Sequence, residues 1–240
     1  MTESPVLCRI AVLVSGSGSN LQALLDACAD GFIPGRIVLV LSHRADAYGL
    51  ERARRAGVPT RVIDHHQFPD RGSFDAAMMA VLDAVGVDLV CLAGFMRILT
   101  PGFVQHYAGR LLNIHPSLLP AFPGLHVQQR ALDAGARFSG ATVHFVVPEV
   151  DAGPIVLQAV VPVLPGDDAK TLAARILRQE HRIYPQAVRW FAQGRLGLDA
   201  RGALRLDGAA GDGDAVLINP GLETHGPPEA TTPSPNPPGP

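Results

Sequence analysis

Arg9-Ile10-Ala11-Val12-Leu13-Val14-Ser15-Gly16-Ser17-Gly18-Ser19-Asn20-Leu21 decides the fold. The first six residues form a nearly unbroken apolar, β-branched run, the pattern of a parallel strand covered on both faces. Two glycines among serines follow. Leu21, Leu24, Leu25 and Cys28 then recur at helical spacing, with Ser19 or Asn20 placed to cap the helix. Strand, glycine turn and helix make a place for an anion, because glycine lets the backbone approach closely and a helix N-terminus favours negative charge. An ordinary tight turn between strand and helix explains the same residues equally well at this point. A dinucleotide site fits worse. Leu21 stands where the third glycine of that fingerprint belongs, and the next strand, Arg36 to Leu41, ends in Ser42-His43-Arg44 without an acid for a ribose.

Alternation continues along the chain. Ala45 to Ala56 reads as a helix closed by Gly57, Thr60 to Ile63 as a short strand, Ser73 to Val85 as a helix closed by Gly86, and Asp88 to Leu92 as a buried strand. This order predicts an α/β fold with a mostly parallel central sheet and helices on both faces, with ligands beyond the carboxyl ends of the strands. The glycine turn, the segment Ala93 to Leu99 and the segment Leu112 to Pro120 all fall at such ends.

Leu112-Asn113-Ile114-His115-Pro116 reads as the end of a buried strand that Pro116 and Pro120 turn into an irregular loop. Side chains alternate along a strand, so Asn113 and His115 share one face. An amide that donates and an imidazole that donates or takes up a proton can both address one substrate oxygen. The competing explanation is a pair of hydrogen-bonded polar residues at a strand end. A short helix is expected after His126, up to Gly135. Ala141 to Val147 and Ile155 to Val163 then read as strands joined by a bend carrying Asp151. That acid suits a surface turn, but if it meets His115 it would favour the imidazolium. Asp167 to Trp190 is a long helical pattern containing Pro185, on which Glu180 would by default be solvated, and Arg195 to Leu206 suits a small hairpin.

The composition sets limits. The chain has 240 residues, 47% of them hydrophobic, with 20 basic and 22 acidic side chains giving a formal charge of −2. Such a chain buries a sizeable core and offers no basic surface for nucleic acid and no basic amphipathic helix for a membrane, which points to small-molecule ligands. Cys8, Cys28 and Cys91 form no C-x-x-C pair, an arrangement expected of a reducing cytoplasm and of no cysteine-held metal. The first residues carry no signal-peptide pattern. Residues 1–207 are expected to form one domain. Residues 208–240 read as a disordered tail, because seven of the 21 prolines fall in the last fifteen positions.

Five segments together carry a resemblance: Ser15 to Leu21 (SGSGSNL), Leu92 to Leu99 (LAGFMRIL), Leu111 to Pro120 (LLNIHPSLLP), Pro123 to His126 (PGLH), and Gly140 to Gln158 with its DAGPI bend. From about Arg9 to Asp207 the chain resembles the phosphoribosylglycinamide formyltransferases, folate-dependent enzymes of purine biosynthesis with a Rossmann-like formyltransferase fold and antiparallel additions near the C-terminal part. The resemblance implies a catalytic trio of Asn113, His115 and Asp151. It implies that Gly18, Ser19 and Asn20 hold the phosphate of glycinamide ribonucleotide, with Leu177, Arg178, Gln179 and Glu180 as a second substrate segment. For the folate it implies Arg71, then Met96, Arg97, Ile98 and Leu99, with Asn113 and the loop Val147, Pro148, Glu149, Val150 and Asp151. The implied co-substrate is 10-formyltetrahydrofolate, with no metal required; the oligomeric state is left open. Ser17, Leu24, Gln128 and Gln129 depart from the family pattern. A formyltetrahydrofolate hydrolase, which has no phosphorylated acceptor to hold, and a non-catalytic folate or nucleotide sensor are the alternatives.

Overall fold

The computed structural model describes residues 7–208 and 217. The chain runs through strand β1 (Cys8–Val14), helix α1 (Ser19–Ala29), β2 (Gly35–Ser42), α2 (Tyr48–Arg55), β3 (Thr60–Val62), α3 (Arg71–Ala84), β4 (Leu89–Leu92), α4 (Pro101–His106) and β5 (Leu111–His115). It continues with α5 (Val127–Asp133), β6 (Phe138–Phe145), β7 (Ile155–Pro162), α6 (Ala169–Ala192) and a hairpin of β8 (Leu196–Leu198) and β9 (Leu204–Leu206). A seven-stranded sheet is ordered β3-β2-β1-β4-β5-β6-β7. The first five strands in that order are parallel, and β6 and β7 add antiparallel. The mostly parallel sheet with antiparallel additions is therefore present. Chain order reverses between β1 and β4, which makes their carboxyl ends a switch point open to a ligand.

Period-2 alternation divides the core in two. Ile10, Val12 and Val14 of β1 face one way with Leu21, Leu24 and Leu50, against α6 residues Leu172, Ile176 and Tyr184. Ala11 and Leu13 face the other way with Phe74, Met78, Leu82 and Phe103 of α3 and α4. On β5, Leu112 and Ile114 belong to the α6 side and Leu111 to the α3 side. Asn113 and His115 therefore lie on the α3 side. The Tyr184 hydroxyl lies 3.0 Å from the Leu92 carbonyl and 3.1 Å from that of Leu112, fixing α6 across the end of β4 and the first half of β5.

Several boundaries depart from the sequence reading. Helix α1 is capped by Gly18 in the left-handed region, not by the side chain of Ser19 or Asn20, which are its first two residues. Strand β6 begins at Phe138 and ends at Phe145, short of Val147. Helix α6 contains Pro185 as expected but runs from Ala169 to Ala192 rather than from Asp167 to Trp190, its start held by a capping box between Asp168 and Thr171. Helix α4 was not anticipated; Thr100 caps it and Pro101 opens it. No helix of the described residues is long and apolar enough to cross a membrane. The expected tail, 208–240, lies outside the described residues apart from Gly208 and Leu217.

Candidate active site

Asn113 and His115 end β5, and β6 supplies their neighbours directly: Asn113 pairs with His144 and His115 with Thr142. Cross-strand partners share a face, so the register alone sets His144 beside Asn113. The His144 Nδ1–H donates to its neighbour's carbonyl, Phe145 O, at 2.9 Å. Burial holds the His144 imidazole below its ordinary pKa, although the Phe145 carbonyl and Asp151 pull the other way. A neutral ring protonated at Nδ1 has a lone pair at Nε2, and Asn113 Nδ2 donates to it at 3.1 Å. One amide proton is thereby used. The other, and the amide oxygen, remain for a ligand. His144 was missed in the sequence reading, where it was one histidine inside an apolar strand; the signal was its place opposite Asn113 once the β5–β6 pairing is drawn.

His115 is buried and has an acceptor at each nitrogen. Nε2 lies 3.1 Å from Phe122 O, and Nδ1 lies 3.4 Å from Asp151 Oδ2. An imidazolium satisfies both; a neutral ring satisfies one. Asp151 Oδ2 also accepts the Gly124 N–H at 2.8 Å, so this carboxylate joins the loop after β5 to the loop after β6. Its other oxygen is 3.7 Å from His144 Nε2, too long for a hydrogen bond and facing a lone pair rather than a proton. Asp151 sits at φ 55°, a left-handed backbone uncommon for a residue with a side chain. The next turn needs glycine: a Cβ on Gly153 would lie 1.8 Å from Phe145 O. The loop after β5 is clamped from beneath. Thr142 Oγ1 donates to Ser117 O at 2.7 Å and accepts from Leu119 N at 3.0 Å, and Gln158 Nε2 donates to Leu119 O at 2.8 Å.

A pocket of about 330 Å³ opens at the switch point. Ser15 to Asn20 line it after β1, Ala93, Gly94 and Met96 after β4, Ile114 and Pro116 after β5, and Leu177 and Glu180 from α6. Among the described residues, the backbone N–H groups of Ser17, Gly18, Ser19 and Asn20 meet no protein acceptor. Ser15 ties two walls together, its Oγ accepting Met96 N–H at 2.8 Å and lying 3.3 Å from His43 Nδ1. Burial, with His65 and Arg97 nearby, pushes His43 down to about 4, so it is neutral near pH 7.

Glu180 is buried, not solvated as its helix position suggested, and accepts from Asn20 Nδ2 at 2.6 Å. Burial raises its carboxyl pKa against the lowering effect of that hydrogen bond. A group whose folded pKa exceeds its unfolded value, about 4.3 for Glu, costs stability as pH rises through the folded value. Glu180→Gln is therefore expected to raise Tm at pH 8 and to leave it nearly unchanged at pH 4. Each kcal/mol relieved is worth about 2–4 °C in a domain of this size. Thermal melts at the two pH values check this; an equal change at both would contradict it.

The structure brings the expected residues together unevenly. Gly18, Ser19, Asn20, Leu177, Glu180 and Met96 share the pocket, while Asn113, His115 and Asp151 form one cluster outside its lining, next in the chain to Ile114 and Pro116, which belong to it. Arg178 and Gln179 lie on α6 but outside the pocket lining, and Gln179 Oε1 instead accepts from Arg182 at 2.8 Å. Met96 and Ile98 are exposed at 63% and 60%, leaving apolar surface uncovered beside the site, whereas Leu99 is buried in the core. Val147, Pro148, Glu149 and Val150 lead to Asp151, with Val150 exposed. Arg71 is exposed at the start of α3, one turn before Asp75, whose carboxylate accepts Thr100 N–H at 2.6 Å and so holds α3 against the segment after Leu99.

Comparison with known proteins follows the same boundaries. Residues 8–188 match the formyl transferase family model. The phosphoribosylglycinamide formyltransferase of Escherichia coli (strain K12) is 52% identical over 200 residues, covering 83% of this chain and 94% of the relative. That of Haemophilus influenzae is 50% identical over 202 residues, 84% of this chain and 95% of the relative. The crystal structure of glycinamide ribonucleotide transformylase 1 from Symbiobacterium toebii superposes with a TM-score of 0.83 at 55% identity, covering 86% of this chain and 97% of that one.

Proposed function

We propose that this chain, which belongs to the formyl transferase family, transfers the formyl group of 10-formyltetrahydrofolate to the glycinamide amine of 5'-phosphoribosylglycinamide. The products are formylglycinamide ribonucleotide and tetrahydrofolate, a step of purine biosynthesis. The observation that carries the reading is one pocket that joins backbone N–H groups at Ser17 to Asn20, which meet no protein acceptor among the described residues, with Ile114 and Pro116 at the end of β5, the chain neighbours of Asn113 and His115. A phosphate would sit at the glycine turn, where the N-terminus of α1 favours negative charge. The Glu180 carboxylate would accept from ribose hydroxyls. The exposed apolar side chains Met96 and Ile98, with Arg71 and the loop 147–151, would receive the folate.

The chemistry follows from the donors. Attack of the amine on the formyl carbon makes the carbonyl oxygen negative in a tetrahedral intermediate. Asn113, its amide oriented by neutral His144, would donate to that oxygen, and protonated His115 would donate to it through Nε2 in exchange for the Phe122 carbonyl that this nitrogen meets at 3.1 Å. Asp151 would orient the imidazolium through Nδ1. The proton lost by the attacking nitrogen must reach the folate nitrogen that leaves, and His115 or a water would carry it. A hydrolase would use the same cluster but has no use for the glycine turn's free donors. Incubation with both compounds should return the acceptor carrying a formyl group on its amine. Consumption of the folate with no formylated acceptor would overturn the reading.

A further inference from the structure

The glycine turn is held from behind by α2. Gly16 O accepts the Gly49 N–H at 3.0 Å, and Ser17 O accepts the Arg52 Nε–H at 2.8 Å. A trans peptide points its carbonyl and its N–H in opposite directions, so these two bonds turn the N–H groups of Ser17 and Gly18 away from α2. Both residues line the pocket, and neither N–H has a protein acceptor among the described residues. Turn and helix are in backbone contact: a Cβ on Gly18, which sits at φ 68°, would lie 2.5 Å from Gly49 Cα. Arg52 is itself fixed. Its Nη1 donates to Gln22 Oε1 at 3.2 Å, and its guanidinium lies over the Tyr48 ring at 5.0 Å.

The charge of the pocket makes this contact matter. No lysine, arginine or histidine is among the residues that line it. A phosphate there would meet backbone donors and a helix N-terminus, but no cation in the lining. Arg52 is bonded to the turn itself, and its hydrogen bonds go to a carbonyl and an amide oxygen, neither of which cancels its charge. We infer that Arg52 is a positioning residue for the phosphate end of the acceptor, aiming the N–H groups of Ser17 and Gly18 and supplying positive charge behind the turn. This rests on the acceptor proposed above.

Steady-state kinetics of the full chain with Arg52→Gln and Arg52→Lys test it. Arg52→Gln is expected to raise KM for 5'-phosphoribosylglycinamide about tenfold, the scale of one charge-assisted hydrogen bond. KM for 10-formyltetrahydrofolate, and kcat at saturating acceptor, should stay within about twofold. Arg52→Lys keeps the charge but loses the planar Nε–H donor, and should fall between the two. Inorganic phosphate, used as a competitive inhibitor against the acceptor, should weaken in parallel. An unchanged acceptor KM in Arg52→Gln, or equal rises in both KM values, overturns the inference while transfer by the unaltered protein leaves the proposed function standing. No transfer by the unaltered protein overturns both.

Discussion

His115→Ala is expected to lower kcat by about 10²–10³-fold, the loss of about 2.7–4 kcal/mol that follows removal of one donor to a developing oxyanion. If His115 rather than a water carries the proton, the loss should reach the upper end of that range. The fold should survive. His115 is at the end of β5, and the loop above it keeps its own anchors in Thr142 and Gln158, which hold Ser117 and Leu119 without the imidazole. What the substitution leaves unpaired is an acceptor, Phe122 O, which lies 3.1 Å from Ser117 Oγ, whose one proton it shares with Ala121 O at 2.7 Å. Acceptor affinity should change little, because the glycine turn and Glu180 belong to other elements. Calorimetric titration of acceptor beside turnover separates the two. Near-normal kcat, or loss of kcat matched by loss of acceptor binding, would contradict the assignment.

Asp151→Asn should lower kcat by up to about 10⁴-fold for a different reason, the loss seen when the group that orients a catalytic imidazole loses its charge. The amide oxygen of asparagine can still accept the Gly124 N–H that Asp151 Oδ2 accepts at 2.8 Å, so the two loops stay joined. The same oxygen stands 3.4 Å from His115 Nδ1, so the substitution keeps that acceptor in place and removes the negative charge facing the ring. The imidazolium would lose its counter-charge. Because His115 and Asp151 act as one unit, the double variant should be little slower than His115→Ala alone. Multiplicative losses in the double variant would show that the two act separately.

The fold was legible where a segment's own pattern decides its structure. The run Arg9 to Val14 has the pattern of a strand covered on both faces, and the apolar spacing from Leu21 to Cys28 that of a helix packed on it, and the core bears both out. Helix α4 escaped because six residues are too few for a period to show, although Thr100-Pro101 carried a capping signal. The start of β6 was placed late because Gly140 reads as a breaker, while the β7 pairing that runs through it is tertiary. Ser19 and Asn20 looked like caps because both side chains cap helices well. What decides otherwise is the left-handed backbone of Gly18, set by its contact with Gly49.

The site divides the same way. Asn113 and His115 were legible as a pair because strand alternation fixes their common face. Asp151 was legible only through resemblance, since its meeting with His115 depends on how the loop after β6 turns at Gly153. Glu180 was read as surface because its burial depends on Asn20, 160 residues away in the chain. His144 needed the β5–β6 register, which no local pattern reveals.

The most direct test follows a labelled formyl group from 10-formyltetrahydrofolate, with and without 5'-phosphoribosylglycinamide. The account predicts that with acceptor present the label appears on its amine, and that without acceptor almost no formate is released. Label released as formate at the same rate in both conditions would contradict it, because the catalytic cluster would then be serving water and the pocket at the glycine turn would have no part in the reaction.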